Sequence, residues 1–143
     1  SEDLSDFYFV GFGPKPKWLK AKWIGLPHRT PISHVDVLEA CDAVVGKPGY
    51  GLFSEALAHR KKVLYIARQD FPETLFLVEG LNRYGCAREI LRDDFFTGRW
   101  RWGLEALFDL PPLWADIRLD GDETIALRLS QFLGAKAFQQ ELV

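Results

Sequence analysis

The sequence predicts an α/β fold built on a mostly parallel sheet. Short apolar runs such as FYFVGF, DAVVG and KVLYIA alternate with segments of helical spacing. The 143 residues match one ordinary domain, and 48% of them are apolar, enough to bury a full core. No internal repeat or low-complexity linker divides the chain, so residues 1–143 read as a single domain.

Each element follows from local pattern. Phe7 to Phe12 is aromatic and β-branched without helical spacing, a buried strand broken by Gly13-Pro14. Lys15 to Lys20 reads as a short helix or a loop. Trp23 to Leu26 is a second short strand stopped by Pro27, and HRTPIS is a loop. Val35 to Ala40 is a short helix with Ser33 as N-cap. Asp42 to Gly46 is the third strand, Gly51 to His59 a helix and Lys62 to Ala67 the fourth strand. Residues 71–84 form a helix closed by Gly85. Cys86 to Leu91 is the fifth strand, and Arg92 to Asp94 a polar turn. Residues 99–109 are helical. The last helix runs from Glu123 to Leu133, with Ile125, Leu129, Phe132 and Leu133 on one stripe.

Composition excludes several classes. A net charge of −2 gives no general electrostatic case for nucleic acid or anionic membrane. No apolar run approaches the roughly 20 residues of a spanning helix. No signal-peptide pattern opens the chain, so a cytoplasmic protein is expected. Cys41 and Cys86 are far apart and read as buried reduced thiols; with three scattered histidines they form no metal-ligand pattern. Methionine is absent, and a strand-like run begins almost at once, which reads as a piece of a longer protein.

The chemistry concentrates in AVVGKPGYGLFSEAL, residues 43–57. Here a strand ends in a glycine turn and a helix follows. In parallel sheets ligands bind at the carboxyl ends of strands. Gly49 and Gly51 let a ligand approach the backbone, and the helix start offers free N–H groups and a dipole that favours an anion. Lys47 adds a positive charge. Glu55, four residues after Gly51, shares its helix face. A carboxylate only accepts hydrogen bonds and suits two neighbouring hydroxyls, as in a ribose diol. The bland readings stand beside these: a tight connection for the glycines, and a favourable dipole contact for Glu55. Gly46 to Gly51 has the glycine spacing of a P-loop, but Leu52-Phe53 follows in place of Lys-Ser/Thr. A dinucleotide fingerprint also fails, since the turn lies after a later strand and Ser54 stands where the third glycine belongs; Asp70 alone falls at a suitable distance for it. In ARQDFPETLF, Asp70, Pro72 and Glu73 fit a helix cap, and also a polar loop beside the glycine turn. Gly13, in a GxG after the first strand, offers a further N–H. His28 and His34 read as solvated loop residues, and the tryptophans as core or interface.

DAVVGKPGYGLFSEAL followed by KVLYIARQDFPE resembles the nucleotide-sugar-binding half of GT-B glycosyltransferases, including the peptidoglycan N-acetylglucosaminyltransferase family. The sequence is more similar to the glycosyltransferase-like N-terminal region of plant L-arabinokinases and related bacterial proteins. That likeness extends through REILRDDFFTGRWRWGLEAL to DGDETIALRLSQFL, from about Phe7 to Leu133. The resemblance implies a Rossmann-like three-layer domain, one half of a GT-B fold, that holds a nucleoside-diphosphate sugar, most often a uridine one. It implies a diphosphate site at Gly13, Lys47, Gly49, Tyr50 and Gly51, ribose binding by Glu55, and sugar contacts from Asp70, Phe71 and Glu73. Relatives often carry Gln where Glu73 stands. No metal or other cofactor is implied. The acceptor site and catalytic base belong to an N-terminal Rossmann-like domain that this chain is too short to contain, so transfer is not expected of it alone. A catalytically silent nucleotide-sugar sensing or interaction module is the alternative, and an NAD-binding domain the third reading.

Overall fold

The computed structural model describes residues 2–67, 72–84, 86–111, 113–114 and 118–140, with side chains through 134 in the last segment. Eleven elements follow in order among these residues: β1 Leu4–Phe12, β2 Ala21–Leu26, α1 His34–Glu39, β3 Ala43–Gly46, α2 Tyr50–Ala58, β4 Lys62–Tyr65, α3 Thr74–Arg83, β5 Ala87–Glu89, α4 Arg92–Thr97, α5 Arg101–Phe108 and α6 Gly121–Gln140. Every described strand pair is parallel: β1 with β2, β3 with β4, and β4 with β5. The fold is the expected α/β class.

The layering follows from β4. Its side chains alternate with period two, and both faces are covered. Leu64, with Ile66 just beyond the strand, points into one core with Leu104, Leu107, Ile90 and Trp100, the layer under α5. Val63 and Tyr65 point the other way, onto Phe53 and Ala56 of α2 and Leu77 and Leu81 of α3. Helices therefore lie on both faces of the three-stranded sheet, as in a Rossmann-like three-layer domain. Burial pushes the Tyr65 hydroxyl up to about 12 and the Cys86 thiol up to about 11. Cys86 is fully buried and Cys41 only partly, and both are free thiols.

Lys62 ties the first core together from its edge. Its ammonium donates to the carbonyls of Leu107, Phe108 and Leu110 at 3.1, 2.6 and 2.8 Å, where α5 ends. A cation there satisfies orphan carbonyls and complements the helix dipole.

Several boundaries differ from expectation. The strands form two sheets among the described residues, β1-β2 and β3-β4-β5, in place of one. The first strand starts at Leu4, with an irregular register before Tyr8. Of the two readings of residues 15–20 the loop holds, with a turn closed by Leu19 N–H donating to the Pro16 carbonyl. The polar turn expected at 92–94 is the start of a helix. Asp93 and Asp94 favour its dipole, and Gly98, at φ 73°, ends it in the left-handed region. The third helix starts at Thr74, so Glu73 is its N-cap residue rather than a first-turn one. The last helix runs from 121 to 140, and Ile125, Leu129, Phe132 and Leu133 are exposed on it rather than buried. Among the described residues no helix is long and apolar enough to cross a membrane.

Candidate functional site

The glycine turn sits where β3 ends. Pro48 is fully buried and fixes the turn, while Lys47 and Tyr50 flank it and are exposed. α2 then starts with Gly49 as N-cap, and Phe53 N–H donates to the Gly49 carbonyl at 3.0 Å. Among the described residues no side chain caps this helix. Its first N–H groups have no intrahelical acceptor either, as at any helix start. The Ser54 hydroxyl is turned back onto the Tyr50 and Gly51 carbonyls at 2.7 and 3.1 Å, away from the N–H groups.

Among the described residues nothing gives Gly49 or Gly51 a steric reason. Gly49 is extended, at φ −167° and ψ 143°, a conformation any residue adopts. Among the described residues, a Cβ on Gly49 or Gly51 would meet nothing within 4 Å. Gly46, three residues earlier, differs: a Cβ there would press to 2.9 Å from Leu52. Gly80, Gly121 and Gly134 share the openness but do not sit at a strand-to-helix turn. A helical glycine costs about 0.5–1 kcal/mol relative to alanine. At Gly51 the protein carries that cost with open space where the methyl group would go.

Glu55 lies one turn further along α2, set by buried Phe53 and Ala56 on either side of it in sequence. Its Oε2 is 3.1 Å from Nδ1 of His34, the first residue of α1, and both side chains are about half exposed. From the sequence, His34 lies in or near a loop on the ligand side and reads as a solvated residue rather than a base. The signal for its position was present: Ser33 as N-cap makes His34 the first helical residue, and only β3 separates α1 from the helix that carries Glu55.

Other expected site residues are placed differently. Gly13 donates its N–H to the Leu26 carbonyl at 2.8 Å, so that group is not free for a ligand. Gly13 belongs to the β1-β2 unit: its carbonyl accepts from Trp23 Nε1 at 3.3 Å, and His28 lies against it. Its φ of 98° supplies the reason for glycine there. Glu73 is exposed and makes no side-chain cap bond. Asp70 and Phe71 lie outside the described residues. The tryptophans divide: Trp100 is in the first core, against Phe9 and Trp18, whereas Trp102 is exposed beneath the Arg88 guanidinium.

Two concavities among the described residues are not lined by Gly49, Tyr50 or Gly51. One, of about 440 Å³, is lined by Glu89, Asp94, Arg99 and Trp102 beyond β5. The other, of about 500 Å³, lies behind α2, along Ser54, Leu57 and Tyr84. At the glycine turn Lys47 is exposed, and the Glu55 and His34 side chains are about half exposed. Chemically it offers backbone donors, one ammonium, one carboxylate and one imidazole. Among the described residues no group of histidine, cysteine and acidic side chains is arranged to hold a metal ion.

A stretch of 77 residues, 54% of the chain, is 38% identical to L-arabinokinase of Arabidopsis thaliana. The matching stretch covers 7% of that protein's length. No protein-family model matches the chain, and no solved structure matches it.

Proposed function

We propose that this chain is the donor-binding domain of a GT-B-like glycosyltransferase, with a nucleoside-diphosphate sugar, most simply a UDP-sugar, held over α2. The observation that carries the reading is the pair Gly49 and Gly51: glycines at a helix start that, among the described residues, has no side-chain cap and no packing partner where a Cβ would stand. In this arrangement the diphosphate lies on the N–H groups of Tyr50, Gly51 and Leu52, with Lys47 beside it. The ribose diol binds Glu55. The sugar reaches toward Asp70, Phe71 and Glu73. Backbone donors that meet the leaving diphosphate stabilise its developing charge without a metal.

The turn's openness fits a site closed by a second, N-terminal Rossmann-like domain that brings the acceptor and any base. The relation to L-arabinokinase supports a sugar-related role. Because that relative is named for a kinase reaction, it also favours a second reading, a catalytically silent module that senses a nucleotide sugar. The proposal sets the domain in the cytoplasm, where Cys41 and Cys86 stay thiols.

Titration calorimetry against UDP, with ADP, GDP and NAD as controls, tests the site. We expect UDP to bind, and Glu55→Ala to weaken it by roughly ten- to a hundredfold, the value of hydrogen bonds to a charged acceptor. Equal affinity in Glu55→Ala would remove the ribose assignment. Preference for NAD would replace the reading with a dinucleotide one.

A further inference from the structure

We propose that His34 is a positioning residue for the diol subsite, holding Glu55 so that its carboxylate distinguishes a ribose diol from a 2′-deoxyribose. The inference rests on the nucleotide reading above and adds a specificity determinant to it.

The geometry is direct. Nδ1 of His34 stands 3.1 Å from Oε2 of Glu55. An ionised carboxylate only accepts hydrogen bonds, so Nδ1 carries the proton and donates. Each carboxylate oxygen has two lone-pair sites. One is taken by His34, which leaves Oε1 and the second site of Oε2 for a ligand. A glutamate alone on a helix surface samples several rotamers, and a bound diol must select one. The His34 bond makes part of that selection beforehand.

Both partners stand on fixed backbone. α1 begins with a reciprocal cap: Asp36 N–H donates to the Ser33 hydroxyl at 3.1 Å, and Ser33 N–H donates to Asp36 Oδ2 at 2.9 Å. Asp36 also accepts from the Ser33 hydroxyl at 2.7 Å, so it is engaged with Ser33 rather than with the neighbouring imidazole. α2 is anchored by Phe53 and Ala56, 2% and 0% exposed. The pair therefore joins the first residue of α1 to the middle of α2. Exposed pairs of this kind add little to folding stability, so stability does not account for it. Orientation of a ligand-facing carboxylate does.

The consequence is selective. A vicinal diol needs both free acceptor sites aimed together, whereas one hydroxyl needs a single site and tolerates a turned carboxylate. Loss of His34 should then weaken UDP more than 2′-deoxy-UDP.

The experiment is calorimetry of this chain and of His34→Ala, His34→Asn and Glu55→Ala against UDP and 2′-deoxy-UDP. We expect the unmodified chain to prefer UDP by tenfold or more. His34→Ala should cut that preference at least threefold. His34→Asn should restore most of it, because its amide N–H takes the place of Nδ1. An unchanged preference in His34→Ala, or no rescue by Asn, overturns the role of His34. The ribose reading survives that result if Glu55→Ala still loses UDP. No UDP binding by the unmodified chain overturns both.

Discussion

Helices α1 and α2 begin in opposite ways. α1 closes its own start, with Ser33 and Asp36 satisfying two N–H groups through side chains. α2 starts at Gly49 with no side-chain cap, and exposed Lys47 stands just ahead of it. Both follow a loop and both precede a strand of the same three-stranded sheet. The difference teaches what a helix start is for. A self-capped start is finished within the chain, whereas a bare one beside open glycines has room for an anion from outside.

The comparison breaks most sharply if α2 is given the kind of cap that α1 has. Gly49 is extended and a Cβ there meets open space, so Gly49→Asp fits the N-cap geometry. Glycine is itself a fair N-cap, so the stability gain should be only a few tenths of a kcal/mol. The carboxylate would occupy and repel from the anion position. UDP affinity should fall more than tenfold, about 1.4 kcal/mol or more, while the melting temperature holds or rises. Gly49→Ser, which caps without charge, should lose less. If UDP binds Gly49→Asp as well as the unmodified chain, the bare start of α2 holds no phosphate.

The reverse change sharpens the comparison. Ser33→Ala strips the cap from α1 and should cost about 1 kcal/mol, or roughly 3 °C in Tm. It should also alter the acid response. The Ser33 side chain, then its backbone N–H, hold the Asp36 carboxyl below its ordinary value of 3.8. A depressed folded pKa gives stability that is present above 3.8 and lost as pH falls through the lower folded value. Thermal melts between pH 5 and pH 2 should show that loss in the unmodified chain and a smaller one in Ser33→Ala. Equal acid slopes would mean that the cap does not set α1.

How much of this was legible in the sequence depends on range. The order of strands and helices was, because KVLYIA is a short continuous apolar run of the kind a strand buried on both faces carries, and Ser33 announces a helix locally. α4 was not: RDDFFT has no apolar periodicity, and it is set by dipole and by Gly98 at its end. The apolar residues expected as one stripe on α6 are exposed, and periodicity cannot say whether anything covers them. At the site, the turn and Glu55 stood out through spacing. The His34 contact did not, since it spans 21 residues and depends on how α1 and α2 meet across β3. Gly13 looked like a ligand glycine and is instead explained by its positive φ and its bond to Leu26.

The far end of α2 completes the contrast, with the smallest expected effect. There the chain satisfies itself: Lys61 N–H donates to the Ala56 carbonyl at 2.7 Å and Arg60 N–H to Leu57 at 3.0 Å. This two-bond closure needs a left-handed residue just past the cap, a place that favours glycine, yet Arg60 fills it at φ 56°. A side chain in that region costs roughly 1–2 kcal/mol, and glycine's greater freedom when unfolded takes back part of the gain. Arg60→Gly should therefore stabilise the protein by about 0.5–1 kcal/mol in denaturant unfolding and leave UDP affinity unchanged. Stabilisation together with lost binding would mean that the two ends of α2 are coupled. Unchanged binding would keep the C-terminal closure of α2 separate from the phosphate position at its open start.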